Sequence, residues 1–335
     1  MPADKKNVVV TGGAGFIGSH PCERLLAENM HVICIDNFVT SDVANIEALL
    51  KNPDFEFVRV DISEPLNLEA MPELARFKIP VLGIQEIYHL ACPTSAKKFD
   101  HLRIQTLLAN GHGMRNVLDL AVKYKARVVH ATTSVIYGAR RDDSAKFTED
   151  QVGVVNQASP RACYDEGKRF AETFCATYAS VFGLDVRVAR VFRTYGPHQR
   201  LKDGEMIPDF VLDALEGRNL TIYGDENFST SLLYVTDLVD GLIRLMSASQ
   251  NPGPVNLGSD VDTKLVDVAK LVIQMVGTAS QIVFEPPLLF MRPLGLPDIR
   301  RATDDLGWIP LVRLEDGVKK TIEYTMVTKG LAKNI

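Results

Sequence analysis

Tyr164 and Lys168 stand four residues apart in the stretch Arg161-Ala-Cys-Tyr-Asp-Glu-Gly-Lys-Arg169. On a helix, positions i and i+4 share a face, so a phenol would lie beside an ammonium. The positive charge favours phenolate and lowers the phenol pKa from about 10. A tyrosine tuned in this way takes a proton from a substrate hydroxyl and returns it. The spacing alone arises often by chance and more commonly marks a solvated helix face, so its meaning depends on the elements that position it.

Three features upstream supply that context. Val8 to Val10 reads as a short buried strand. It runs into Thr11-Gly-Gly-Ala-Gly-Phe-Ile-Gly18, with glycines at Gly12, Gly15 and Gly18. Glycines at this spacing let backbone amides, including those of Phe16 and Ile17, approach a pyrophosphate at the positive end of a following helix. A second strand, His31 to Ile35, ends at Asp36, 18 residues past Gly18. An acid there holds the ribose hydroxyls of an adenosine, and its charge repels a 2′-phosphate. The following Asn37 and Phe38 bring no arginine to bind one, so NAD is expected rather than NADP. Pro21, about a turn into the helix, removes an amide donor and is expected to kink it.

The strand–helix alternation continues. Phe55 to Val60 reads as a third strand, followed by Asp61 and Ile62 as cofactor contacts. Ile87 to Leu90 reads as a fourth, with Leu90 at the cofactor. Leu102 to Tyr124 is a long helical pattern interrupted by Gly111 and Gly113. Val128 to Thr132 is a fifth strand, leading to Thr133 and Ser134, and Val186 to Phe192 is a sixth. This order predicts an α/β fold with a doubly wound parallel sheet of the Rossmann kind. Ligands of such sheets sit at the carboxyl ends of the strands, where Thr133 falls. Residues 1–192 are read as the NAD-binding domain, with about 234–258 packing back on it. Residues 193–335 are read as mainly a smaller α/β substrate lobe, holding helices near Met206–Leu215 and Leu314–Thr325 and a strand at Leu220–Tyr223.

Composition narrows the function further. The chain has 335 residues, 46% hydrophobic and 24% charged, with a net charge of −5. That balance argues against a nucleic-acid surface. Five cysteines without a Cys-x-x-Cys suit a reducing compartment, and seven histidines without ligand spacing point to no metal. No apolar run approaches the roughly 20 residues needed to span a bilayer, and none resembles the apolar core of a signal peptide. No membrane association and a cytoplasmic location are therefore expected.

As a set, the glycine segment, Asp36-Asn37-Phe38, Thr133-Ser134, Tyr164-x-x-x-Lys168, Tyr195-Gly196-Pro197 and Tyr234-Val235-Thr236-Asp237 resemble the extended short-chain dehydrogenases. These are the NAD-dependent nucleotide-sugar epimerases, dehydratases and decarboxylases. Arg161 to Arg169, His89-Leu-Ala-Cys-Pro93 and Pro254-Val-Asn-Leu-Gly258 look most like the UDP-glucuronate decarboxylases. The resemblance implies oxidation of a sugar at C4 by bound NAD. Tyr164 takes the hydroxyl proton, Lys168 holds the nicotinamide ribose and lowers the tyrosine pKa, and Thr133 bonds the same hydroxyl. It also implies a UDP-linked substrate, with Ser134 among its contacts, and a homodimer formed through the helices at about Leu102–Tyr124 and Cys163–Phe182.

Three positions depart from the decarboxylase pattern. Val135 stands where those enzymes carry a glutamate, which leaves 4-epimerisation the outcome least damaged. Arg193 replaces an asparagine and Thr230 an arginine; both are taken as substrate-binding, with Arg200 and Arg292 as further candidate contacts. A non-catalytic NAD-binding protein and a dehydrogenase that releases NADH are the competing readings.

Overall fold

The computed structural model describes residues 5–95, 99–140, 146–287 and 294–330. Seven parallel strands form the central sheet: β1 (Asn7–Thr11), β2 (His31–Asp36), β3 (Phe55–Arg59), β4 (Glu86–His89), β5 (Arg127–Thr133), β6 (Val186–Val191) and β7 (Val255–Leu257). Their order across the sheet is β7-β6-β5-β4-β1-β2-β3. The chain therefore works outward from β1 in one direction, returns, and works outward in the other, as a doubly wound fold does.

Both faces of the sheet are covered by helices, as a parallel sheet requires. On one face Val9, Ile33, Ile87 and Val128 meet Val117 and Leu118 of α3 (Met114–Tyr124) and Ala171 and Cys175 of α4 (Ala162–Phe182). That face is preceded in the chain by α1 (Phe16–Ala27) and α2 (Arg103–Leu108). On the other face Val8, Val10, Val32 and Val129 meet Leu25 of α1. A later helix adds Leu238, Leu242 and Leu245 to that second core. It is α6 (Val235–Ser247), which follows α5 (Met206–Leu215). A third core joins Phe210 and Val211 of α5, Leu220 and Ile222, Val268 and Val272 of α7 (Leu265–Val276), and Val318 of a C-terminal helix, Leu314–Thr328.

Several local expectations change. α1 runs through Pro21 without a break, because proline's fixed φ is helical and only one amide bond is lost. The long helix at 102–124 is two helices joined by a π-bulge at Ala109–Gly113. Gly113 is needed there: a Cβ would stand 2.6 Å from Ile62 Cδ1, so glycine lets the helix close on the loop after β3. β7 has only three residues after Pro254 and shows no strand pattern in sequence. Among the described residues no helix is long and apolar enough to cross a membrane, and no cluster of metal-ligating side chains occurs.

One polar row crosses the sheet interior. Thr11, His89 and His130 are register neighbours on β1, β4 and β5. Thr11 Oγ1 lies 2.7 Å from His89 Nδ1, and the two imidazoles stack at 5.2 Å between centroids. Neither His130 nitrogen has a partner among the described residues. Burial pushes His89 down to about 3 and lowers His130 well below its ordinary value, with the Lys168 ammonium adding to both effects. Both rings are neutral when folded, while in the unfolded chain they take up protons near 6.5. Their contribution to stability is thus present above about pH 6.5 and is lost as pH falls from there toward 3. Replacing His130 by Leu removes two unpaired buried nitrogens and should stabilise the fold by about 1–2 kcal/mol in urea melts at pH 7. It should also flatten the loss of stability below pH 6.5. A destabilised His130→Leu variant would contradict this account.

Candidate active site

The carboxyl ends of β1, β2, β4, β5 and β6 open into one cleft of about 430 Å³. Its first wall is the glycine loop. Gly12 has φ +72°, and a Cβ there would meet the Ala91 backbone at 2.8 Å. A Cβ on Gly18 would stand 2.1 Å from the Gly12 carbonyl oxygen. Glycine is required at both places because backbone packs on backbone. Gly15 caps α1 without a side-chain bond, so first-turn amides such as those of Phe16 and Ile17 lack helical acceptors.

Asp36 ends β2 and organises the next wall. Its Oδ1 accepts from the Phe38 amide at 2.9 Å and Ser41 Oγ at 2.6 Å, and its Oδ2 accepts from the Ala14 amide at 3.1 Å. A carboxylate has about four lone-pair sites, so one on Oδ2 is left for a ribose hydroxyl. Asn37 donates to Asp61 Oδ2 at 2.9 Å; with the Ser63 donors this opposes burial and holds Asp61 below its usual range. Asn37, Asp61, Ile62 and Leu90 all line the cleft. The nearest arginine packed on this end, Arg59, lies over the Phe38 ring at 5.7 Å and is not part of the wall. A glycine-lined approach to a helix start, beside an acid with one free acceptor site, fits an unphosphorylated adenine dinucleotide.

The opposite end holds the proton-transfer candidates. Thr133 ends β5, and its hydroxyl accepts from the Val135 amide at 3.4 Å, capping the turn Ser134–Tyr137. Tyr164 and Lys168 lie in the first two turns of α4. Thr133 and Tyr164 both line the cleft. Tyr164 keeps some exposed surface as a residue, but its hydroxyl is enclosed, and burial pushes the phenol well above its ordinary pKa. Cys92 and Asp165 add to that rise, while Arg161 and Thr133 oppose it.

Lys168 Nζ donates to the Ala131 carbonyl at 2.9 Å, and a second cation, Arg161, faces the phenol. The Arg161 guanidinium carbon lies 5.7 Å over the Tyr164 ring, and Arg161 pairs with Asp165 at 3.2 Å.

Arg193 and Arg200 line the cleft, and so does Ser134. Arg193 Nη1 reaches Met206 Sδ at 3.6 Å; burial lowers its pKa, with Glu205 acting against that and Arg161 with it. Thr230 does not join them. It is buried, pairs with Thr263 in a short antiparallel ladder and turns its hydroxyl to the Ser231 carbonyl. Arg292 lies outside the described residues. The structure adds residues that sequence reasoning passed over: Arg161, Gln199, Asp203 and Glu205. Asp203 accepts from Ser95 at 2.6 Å, and burial raises the Glu205 carboxyl. Arg161 stood in the quoted motif, whereas the segment from Gln199 to Glu205 carries no periodic signal.

The fold and the cleft define a class: an α/β protein of the Rossmann kind whose strand-end cleft is lined by a glycine loop, an acid, a threonine and a tyrosine. The profile of the NAD dependent epimerase/dehydratase family matches residues 8–258, and the chain belongs to that family. It is 40% identical over 321 residues to UDP-glucuronic acid decarboxylase 1 of Xenopus tropicalis, covering 96% of this chain and 72% of that one. It is 36% identical to UDP-glucuronic acid decarboxylase 6 of Arabidopsis thaliana, covering 97% and 90%. Among solved structures, the UDP-glucuronic acid 4-epimerase of Bacillus cereus in complex with UDP-glucuronic acid and NAD aligns with TM-score 0.82 at 26% identity. That alignment covers 97% of this chain and all of that one, at 100%.

Gly18→Ala should abolish NAD binding measurable by calorimetry, because the new methyl must displace the Gly12 carbonyl. Wild-type affinity in Gly18→Ala would contradict the loop's assigned role.

Proposed function

We propose that the chain binds NAD and a UDP-linked sugar in this cleft, oxidises the sugar transiently at C4, and acts as a UDP-glucuronate decarboxylase. The observation that carries the reading is that Thr133, Tyr164 and Lys168 line one cleft with the glycine loop and Asp36, at the carboxyl edge of the sheet. Identity to decarboxylases over nearly the whole chain supports the substrate.

The protein's part follows from its groups. Thr133 orients the C4 hydroxyl, and Tyr164 as phenolate takes its proton. Lys168, which donates to the Ala131 carbonyl, would hold the cofactor ribose. NAD, when bound, supplies the acceptor for the C4 hydrogen and its electron pair, and later gives them back. With C4 a carbonyl, the sugar carboxylate is placed β to it. The C5–C6 bond can then break, with carbon dioxide leaving and the electron pair passing toward the C4 oxygen. Protonation at C5 and return of the hydrogen to C4 give UDP-xylose. Arg193 and Arg200 provide positive charge for the carboxylate or the diphosphate.

A second reading, a UDP-uronate 4-epimerase, draws on one observation. Val135 is buried, at 6% exposure, next to Thr133, and so no carboxyl stands there to assist a later proton step. A homodimer is part of the proposal: Ile104 and Leu107 of α2 and Phe170 and Phe182 of α4 are large apolar side chains left exposed.

Incubation of the NAD-loaded protein with UDP-glucuronate, followed by NMR, should yield UDP-xylose with no net NADH. UDP-galacturonate as product would establish the epimerase instead. Tyr164→Phe should lower turnover by at least about 100-fold, the usual scale of a lost general base. Full activity in that variant would defeat both readings, and light scattering should give the mass of two chains.

A further inference from the structure

The Arg161 guanidinium occupies a position that the proposed chemistry leaves unassigned. Its central carbon is 5.7 Å from the Tyr164 ring centroid, on the ring face. It lines the cleft alongside Tyr164, Arg193 and Glu205. Asp165, buried and one turn along the same face of α4, pairs with it at 3.2 Å. Arg161 is thus anchored from below and aimed across the ring at the cleft.

The groups around the phenol come from three elements. The end of β5 gives Thr133, and the loop after β4 gives Cys92. α4 and its N-cap give Asp165 and Arg161. Of the two cations, Lys168 gives one of its three N–H groups to the Ala131 carbonyl, whereas Arg161 lies over the ring face. Asp165 and Cys92 both disfavour phenolate. A guanidinium stacked on an aromatic face is attracted to it, and more strongly once the ring bears negative charge. It also cannot lose its own proton in a protein.

We propose that Arg161, anchored by Asp165, is the positioning residue that stabilises the Tyr164 phenolate and links it to the charged substrate end at Arg193 and Glu205. This rests on Tyr164 being the proton-transfer residue. A purely structural Arg161 would tie the start of α4 together and leave the acidity of Tyr164 alone. The two roles separate in a pH profile.

The experiment follows reduction of bound NAD at 340 nm by stopped flow from pH 5 to 10, in NAD-loaded protein with the UDP-sugar that the wild type oxidises fastest. The oxidation rate rises with pH as the phenol ionises. Removing the cation raises the phenol pKa, so the acid limb of Arg161→Gln should move up by about one pH unit. On that limb one pH unit is about a tenfold lower rate. Arg161→Lys should restore the limb to within about half a unit, since the charge is kept. Arg161→Met keeps the apolar stem against the ring and carries the test where the Gln variant does not fold. A neutral variant whose rate falls equally at every pH, with the limb unmoved, overturns the proposal and leaves the reading of Tyr164 intact. Wild-type protein that oxidises no UDP-sugar overturns both.

Discussion

Parallel pairing of β1 with both β2 and β4 is the constraint on which the rest of the structure depends. Its register sets Thr11 beside Ile35 on one side and His89 on the other, and His89 beside His130. The strands therefore end along one edge, and Gly12, Asp36, Leu90 and Thr133 fall together at the edge without long excursions of the chain. Chain order reverses at β1, and the crevice at that reversal is where an open α/β sheet accepts a ligand. The second condition is backbone contact: Gly18 against the Gly12 carbonyl and Gly12 against Ala91 bring α1 close enough for its amides to face the crevice.

Much of this was legible from residue spacing. The glycine triplet and Asp36 follow a strand, and each element between them has the length that a βαβ unit needs. Tyr164 and Lys168 do share a helix face. What spacing could not convey was where each side chain on that face points. Lys168 turns to a carbonyl of β5, 37 residues away in sequence, and Arg161 takes the position over the phenol ring. That choice is tertiary, made by the packing of α4 on the sheet. β7 was invisible because three residues after a proline carry no period. Thr230 was misplaced because a motif position transfers a residue to a place in the chain, whereas a two-stranded ladder decides whether it faces ligand or core. The polar segment from Gln199 to Glu205 has no hydrophobic pattern, so its contribution to the cleft emerges only in three dimensions.

Charge distribution in the cleft divides the proposed reaction into an oxidation half and a product-forming half. At one end, Asp36 and Asp61 are held by defined donors, and Asp36 keeps an acceptor site that suits a ribose hydroxyl. At the substrate end, Arg161, Arg193 and Arg200 face Asp203 and Glu205 around a pocket in which position 135 is a buried valine. Oxidation at C4 needs only the first half and the Thr133–Tyr164 pair. The fate of the resulting ketone depends on the second, where a carboxyl, Glu205, sits at the start of α5.

The central claim is that the C4 hydrogen leaves the sugar and returns to it without exchange. Turnover of UDP-glucuronate carrying deuterium at C4, with mass and NMR analysis of the product, tests it most directly. The account predicts product with the deuterium still at C4 and no free NADH, whether the product is the pentose or the epimer. Product that has lost the C4 deuterium to solvent, or NADH released in step with turnover, would contradict it.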